Sequence, residues 1–205
     1  MNKLHWNKDL GIFSDYGNHS DYSYLTRKTF QRQNGPPEHR MVRVTRRTPA
    51  LQHVSSFGYV SLFPFLLQLL DHDSPQLYRI LEDLAEEDML WTRYGLRSLS
   101  KGDHMYMKRN TEHDPPYWRG QIWININFLA IRALKHYAEG EGRNAAKAQQ
   151  LYSALRENVY KNLYKQYTKT GYLWEQYSDK DGTGKGCYPF TGWSALVVLI
   201  MSEEF

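Results

Sequence analysis

The sequence predicts a mainly α-helical chain. Three observations carry that expectation: apolar residues recur every three or four positions in several stretches, helix-start residues stand before them, and no convincing hairpin is visible. At 205 residues the chain suits one domain of ordinary size, or a large piece of a bigger one, with room for a real core.

The first elements set limits. The opening "MNKLHWNKDLG" lacks the apolar region of a signal peptide, and Asn18-His19-Ser20 is a formal glycosylation acceptor of a kind that arises often by chance. Residues 32–47, "RQNGPPEHRMVRVTRR", hold five Arg against one Glu and account for much of the net charge of +4. Rich in Pro, Gly and Gln, the stretch at about 21–50 is expected to be a basic, solvated surface loop. A basic run can bind phosphates, and a nucleic-acid reading through Arg40, Arg43, Arg46 and Arg47 would show a steep loss of affinity with salt. No helix-turn-helix, RNP-like or zinc-finger pattern supports it, so nucleic acid is not the expected partner.

Helices follow. "FGYVSLFPFLLQLL" (57–70) is the longest apolar run, shorter than the roughly 20 residues that cross a bilayer and interrupted by Pro64; it predicts a core segment, and no membrane segment is expected. Ser74-Pro75 pairs a capping hydroxyl with Pro at the first helical position, and Leu77, Ile80, Leu81 and Leu84 form one face. In "RGQIWININFLAIRALKHYAEGEG", Ile122, Ile124, Ile126 and Phe128 alternate like a strand, yet Trp123, Ile126, Ala130, Ala133 and Tyr137 fit a helix, which the length favours. From Asn144, a cap, the residues Ala148, Leu151, Leu155, Val159, Leu163 and Tyr167 predict a long helix. "TGWSALVVLIM" offers Thr191 as cap and Trp193, Leu196, Val197 and Ile200 as a buried face. About five helices result.

Two long loops, 98–120 and 178–190, lie between these elements, and loops of that length tend to be functional or disordered. The second contains Asp179-Lys180-Asp181-Gly182, which fails the EF-hand template because Tyr177 would stand at position one and Tyr188 at the bidentate position. Its Gly-Lys-Gly run follows no strand and precedes no Ser or Thr, so a plain flexible turn is expected rather than a phosphate cradle. His5, His53, His72, His104 and His113 lack metal-site spacing, and the single Cys187 forms no internal disulfide and is expected to be a small buried residue. No metal and no cofactor are expected.

The aromatic share is 15%, with sixteen Tyr and six Trp. "EHDPPYWRGQIW" (112–123), "LWEQY" (173–177) and "PFTGW" (189–193) each bring Trp with a polar partner to a helix end. Sugars bind in this manner, with apolar ring faces on aromatics and hydroxyls on carboxylates, amides and guanidinium groups.

These segments, together with "GYVSLFPFLLQLLD", "GYLWEQYSDKDGTGKGCYPFTGW" and "LVVLIMSEEF", resemble the C-terminal part of the processing α-glucosidase I family, the mannosyl-oligosaccharide glucosidases of glycoside hydrolase family sixty-three. The likeness runs from "LHWNKDLGIFSDYGNHS" (4–20) to Phe205 and weakens across the basic loop. It implies an all-α fold: residues 1–205 would be part of an incomplete (α/α)6 toroid, the C-terminal half of a glycosidase catalytic domain. The implied activity is inverting removal of the terminal α-1,2-linked glucose from the triglucosylated N-glycan precursor in the endoplasmic reticulum lumen. By position, Glu175 falls on the family's general base, and Tyr117, Trp118, Arg119 and Trp193 on its substrate pocket; Asp114 reaches the same helix start.

An inverting reaction also needs a protonated carboxyl group roughly 6.5–9.5 Å from the base, leaving room for the attacking water. The resemblance places that acid in a "GLDDYPR"-like motif, for which this sequence has no counterpart; "SDYG" and "SDYS" share only Asp-Tyr. The expectation is therefore a fragment with the base and part of the sugar pocket, partnered by a missing N-terminal part of the same domain and inactive alone. The alternative is a catalytically silent carbohydrate-binding or interaction module.

Overall fold

The structure, a computed structural model, describes residues 1–109, 114–203 and 205. Its centre is a pair of helices, α3 (Ile124–Glu139) and α4 (Ala145–Thr170), packed against each other across a short turn. Around them lie α1 (Phe63–Leu66), α2 (Pro75–Ala85) and α5 (Val197–Ser202), with 3₁₀ turns at Tyr59–Leu62 and Trp193–Leu196.

The helix chemistry operates as the residues dictate in α2. Ser74 Oγ accepts from the Leu77 N–H at 3.2 Å, Pro75 occupies the first turn, and Leu77, Ile80, Leu81 and Leu84 are all buried. In α4 the stripe from Ala148 to Leu163 is buried, whereas Tyr167 is exposed. Asn144 stands at the N-cap, but its side-chain amide donates instead to the His72 carbonyl at 2.7 Å, tying the helix start to the chain before α2. Gly171, at φ +77°, ends the helix in the left-handed conformation, which costs glycine little.

Three expectations need correction. First, the chain is not all-α: ten short strands form five two-stranded antiparallel sheets among the described residues. The pairs are β1 (Trp6–Asn7) with β2 (Ile12–Phe13), β3 (Tyr16–His19) with β6 (Ala50–His53), β4 (Ser23–Phe30) with β5 (Glu38–Thr45), β7 (Trp91–Thr92) with β8 (Gly95–Leu96), and β9 (Gln176–Tyr177) with β10 (Gly184–Lys185). Second, the basic stretch at 21–50 is a hairpin, registered from Ser23↔Thr45 to Phe30↔Glu38. Arg40, Arg46 and Arg47 lie over the rings of Phe30, Tyr24 and Tyr22. Asn34-Gly35, a hairpin dipeptide, lies in its seven-residue connection, 31–37, beside Pro36-Pro37, whose composition reads as loop. Third, 57–70 is no continuous helix. Pro64 falls inside the first turn of the four-residue α1, and Gln68 adopts φ +58°, ending it.

The last helix is likewise split: Gly192 rather than Thr191 precedes the 3₁₀ turn, and Val197 and Ile200 are buried while Trp193 and Leu196 are only partly covered. The mixed signal before α3 was real on both counts. Ile122 makes ladder contacts with Arg97 and Tyr177, and the helix begins two residues later.

A buried polar hub locks α3 to β8. Asn127 Oδ1 accepts from the Leu96 N–H at 2.7 Å, and its amide lies within bonding reach of the Leu96 and Trp123 carbonyls and the Tyr59 hydroxyl, at 3.1, 2.8 and 3.1 Å. Tyr59 in turn donates to the Leu96 carbonyl and accepts from the Trp123 N–H at 3.2 Å. Replacing Asn127 with Ala should lower unfolding free energy by roughly 2 kcal/mol or more in a denaturant titration, since each buried polar group left unsatisfied costs about 1–3 kcal/mol.

Apolar side chains also remain uncovered. Val60, Phe63, Leu67 and Leu69 near α1, and Tyr164, Tyr167, Val198 and Met201 on α4 and α5, are all more than 40% exposed. A hollow of about 190 Å³ lies on the second of these surfaces, between Tyr164, Tyr167, Leu173 and Met201. Contiguous apolar surface of this kind drives association. Sedimentation of the 205-residue chain should therefore show concentration-dependent self-association, whereas a concentration-independent monomer would contradict it.

Candidate active site

The site is assembled by a short three-segment ladder. The Ile122 N–H donates to the Tyr177 carbonyl at 2.8 Å and the Tyr177 N–H returns the bond at 2.9 Å; beside it the Ser98 N–H donates to the Gln121 carbonyl at 3.0 Å. This joins the end of the "YWRGQIW" segment to the "LWEQY" segment. An ion pair buried below fixes the second segment: Arg97 Nε meets Asp179 Oδ2 at 3.1 Å, with both side chains almost wholly buried. Arg97 also donates to the carbonyls of Glu87 and Met89, and the Tyr106 hydroxyl donates to Asp179 at 2.6 Å. The expected flexible turn at 178–183 is thus a tight connection between β9 and β10, with the Ser178 N–H bonded to the Thr183 carbonyl at 2.8 Å and Asp181 accepting from Thr183.

Glu175 stands just before β9, half-buried. Its Oε1 accepts from the Tyr117 hydroxyl. Its Oε2 accepts from the Cys187 N–H at 3.0 Å, while its own N–H donates to the Cys187 carbonyl at 3.0 Å. Cys187 is exposed, not buried as expected, and its backbone N–H and carbonyl are both committed to this pairing. Trp193 approaches from the last helix and its Nε1–H donates to the Glu175 carbonyl at 2.6 Å. Burial alone would raise the Glu175 carboxyl; the hydrogen bonds from Tyr117 and Cys187 outweigh it and hold the group below the ordinary value, so it is ionised near neutral pH.

Rings line the rest. Trp123 is fully buried, with Trp118 stacked flat on it at 3.9 Å, Tyr117 edge-on at 4.7 Å and Trp193 at 5.7 Å. Trp118 adopts φ +58°, an uncommon conformation for a bulky residue and one that clusters at functional sites. Its 39% exposed ring borders a cavity of about 340 Å³ shared with Tyr59, Ser98 and Leu99.

Glu175, Trp193 and the adjacent pair Tyr117 and Trp118, brought from three separate segments, therefore share one locus. Arg119 turns to the Lys108 carbonyl at 3.2 Å, and burial followed by the nearby Arg43 guanidinium pulls it below the usual arginine range. Asp114 is exposed at the loop entry, and His113 and Glu112 lie outside the described residues. Sequence reasoning gave no functional part to the Cys187 amide, Gly186, Asp179 or Tyr106. The alternation of Gly182, Gly184 and Gly186 was the available signal; nothing local links Asp179 to Arg97, 82 residues away.

A carboxylate among aromatic faces is chemistry suited to carbohydrate, and comparison with known proteins falls in that class. The glycosyl hydrolase family 63 C-terminal domain matches residues 1–203, and the chain belongs to that family. It is 45% identical over its whole length to mannosyl-oligosaccharide glucosidase GCS1 of Arabidopsis thaliana, covering 24% of that protein. It is 42% identical to alpha-glucosidase 2 of the same plant, covering 26%. The Saccharomyces cerevisiae mannosyl-oligosaccharide glucosidase is 41% identical over 153 residues, 71% of this chain and 17% of the relative. The chain thus spans about a quarter of the length of the first two curated relatives. In structure it is similar to the family 63 mannosylglycerate hydrolase of Thermus thermophilus solved with glucose, with TM-score 0.55 and 17% identity over 97% of this chain and 36% of that one. The likeness to that solved structure is one of fold.

Gly186 holds φ +72°, and a Cβ there would lie 2.4 Å from Glu175 Oε2. Gly186→Ala should therefore destabilise the chain by at least about 1–2 kcal/mol from the left-handed backbone alone, and should displace the Glu175 carboxylate. Thermal melting and the Cys187 amide resonance check both.

Proposed function

We propose that this chain supplies the general base and part of the sugar pocket of an inverting exo-α-glucosidase. The observation that carries the reading is the Glu175 carboxylate, ionised and fixed at a wall of Tyr117, Trp118 and Trp193. The substrate is the triglucosylated N-glycan precursor, and the bond cleaved is that of its terminal α-1,2-linked glucose. Support comes from the relatives named as mannosyl-oligosaccharide glucosidases.

In this reading Glu175 accepts a proton from water as that water attacks the anomeric carbon from the face opposite the departing sugar. A base of this type contributes on the order of 10²–10⁴ in rate. The Trp118 face, bordered by the rings of Tyr117 and Trp193, takes the apolar face of the glucose, with Arg119 and Asp114 as polar partners for its hydroxyls. A second carboxyl group protonates the leaving oxygen. No segment of these residues matches the family motif for that acid, so it is assigned to a further, N-terminal part of the same domain, which closes the toroid over the uncovered apolar surfaces. The enzyme works in the lumen of the endoplasmic reticulum, and needs no cofactor.

The test is glycan trimming by the full-length protein containing this chain. Glu175→Gln should lower kcat about 10²–10⁴-fold with little change in glycan binding, and the released glucose should have inverted anomeric configuration. Binding without turnover by the intact parent protein would instead assign a carbohydrate-binding module.

A further inference from the structure

We infer that Tyr117 is a positioning residue for Glu175: its phenol and the Cys187 peptide N–H form a two-sided clamp that fixes the rotation of the carboxylate. The inference rests on the reading of Glu175 as the base and reassigns Tyr117, placed by the sequence among residues that touch sugar.

Four observations converge. Each oxygen of Glu175 has its own donor, Tyr117 on Oε1 and Cys187 on Oε2. The donors come from segments 58 and 12 residues away in sequence, so neither is an accident of local chain geometry. The Tyr117 ring is itself oriented, edge-on to both the buried Trp123 and the stacked Trp118, with interplanar angles of 81° and 89°. On the Cys187 side, Gly186 leaves room for Oε2 where any other residue would not.

A carboxylate oxygen has two acceptor sites, so a clamp that fills one on each leaves the others open to water. The phenol suits this task because it remains a donor throughout the working range: the bond to Glu175, then burial, push its ionisation up to about 12. A free carboxylate could rotate its charge away from the attacking water, and fixing it in place is the kind of preorganisation on which proton transfer depends.

The experiment is a titration of the full 205-residue chain by NMR, with carboxyl-labelled glutamate, in wild type and Tyr117→Phe. Phenylalanine keeps the ring and removes only the donor, so the Glu175 midpoint should move up. The reciprocal measurement follows tyrosine ionisation in Glu175→Gln, where the Tyr117 midpoint should fall from about 12 towards its ordinary value of 10.0. An unmoved Glu175 midpoint in a Tyr117→Phe chain with an otherwise unchanged spectrum would overturn the clamp. Should that variant unfold, a Tyr117 midpoint that stays near 12 in Glu175→Gln would overturn it equally. Neither readout involves glycan, so failure here leaves the glycosidase reading to its own test.

Discussion

Two backbone hydrogen bonds, exchanged between Ile122 and Tyr177, are the constraint on which this site depends. They fix the distance between the segment that ends in Trp123 and the segment that begins with Leu173. All that surrounds Glu175 follows from that register. Ile122 and Tyr177 are both fully buried, and a backbone pair away from water cannot be opened without leaving strong donors and acceptors unsatisfied. The pair therefore tolerates no slip.

Layers of increasing polarity are built over it. The Asn127 hub holds the start of α3 and with it Trp123, whose ring is the floor for Trp118 and the side rest for Tyr117. Arg97 and Asp179, a buried ion pair, anchor the turn on the far side. The Glu175 carboxylate is left partly open, its charge maintained by donors rather than by a neighbouring cation. A carboxylate held this way stays ionised near neutral pH, and the acceptor sites not taken by Tyr117 and Cys187 remain open.

Much was legible along the chain because it is local. The Ser74-Pro75 start, the apolar stripes of α2 and α4 and the length of α3 each reflect a few adjacent residues acting through the helical period. Segments carrying Glu175, Tyr117, Trp118 and Trp193 were legible for a different reason: aromatics beside a polar group, at three loop ends, match the needs of a sugar ring. The hairpins β4–β5 and β9–β10 escaped although Asn34-Gly35 and Asp181-Gly182 stand in their connections, 31–37 and 178–183, because β4 and β5 are rich in charged residues and β9 and β10 are only two residues each. The interrupted helix at 57–70 escaped because hydrophobicity says nothing of where Pro64 falls within a turn.

Sequence by itself determined the family, the helical framework and which carboxylate lies among rings, since those are set by residue type and near-neighbour spacing. Tertiary structure alone decided that Tyr117 and the Cys187 amide meet opposite oxygens of Glu175, that Trp193 grips its carbonyl, and that Asp179 belongs to Arg97. The reason is physical: hydrogen bonds and buried charges act over a few ångströms, and which groups come that close is fixed by packing between segments up to 82 residues apart.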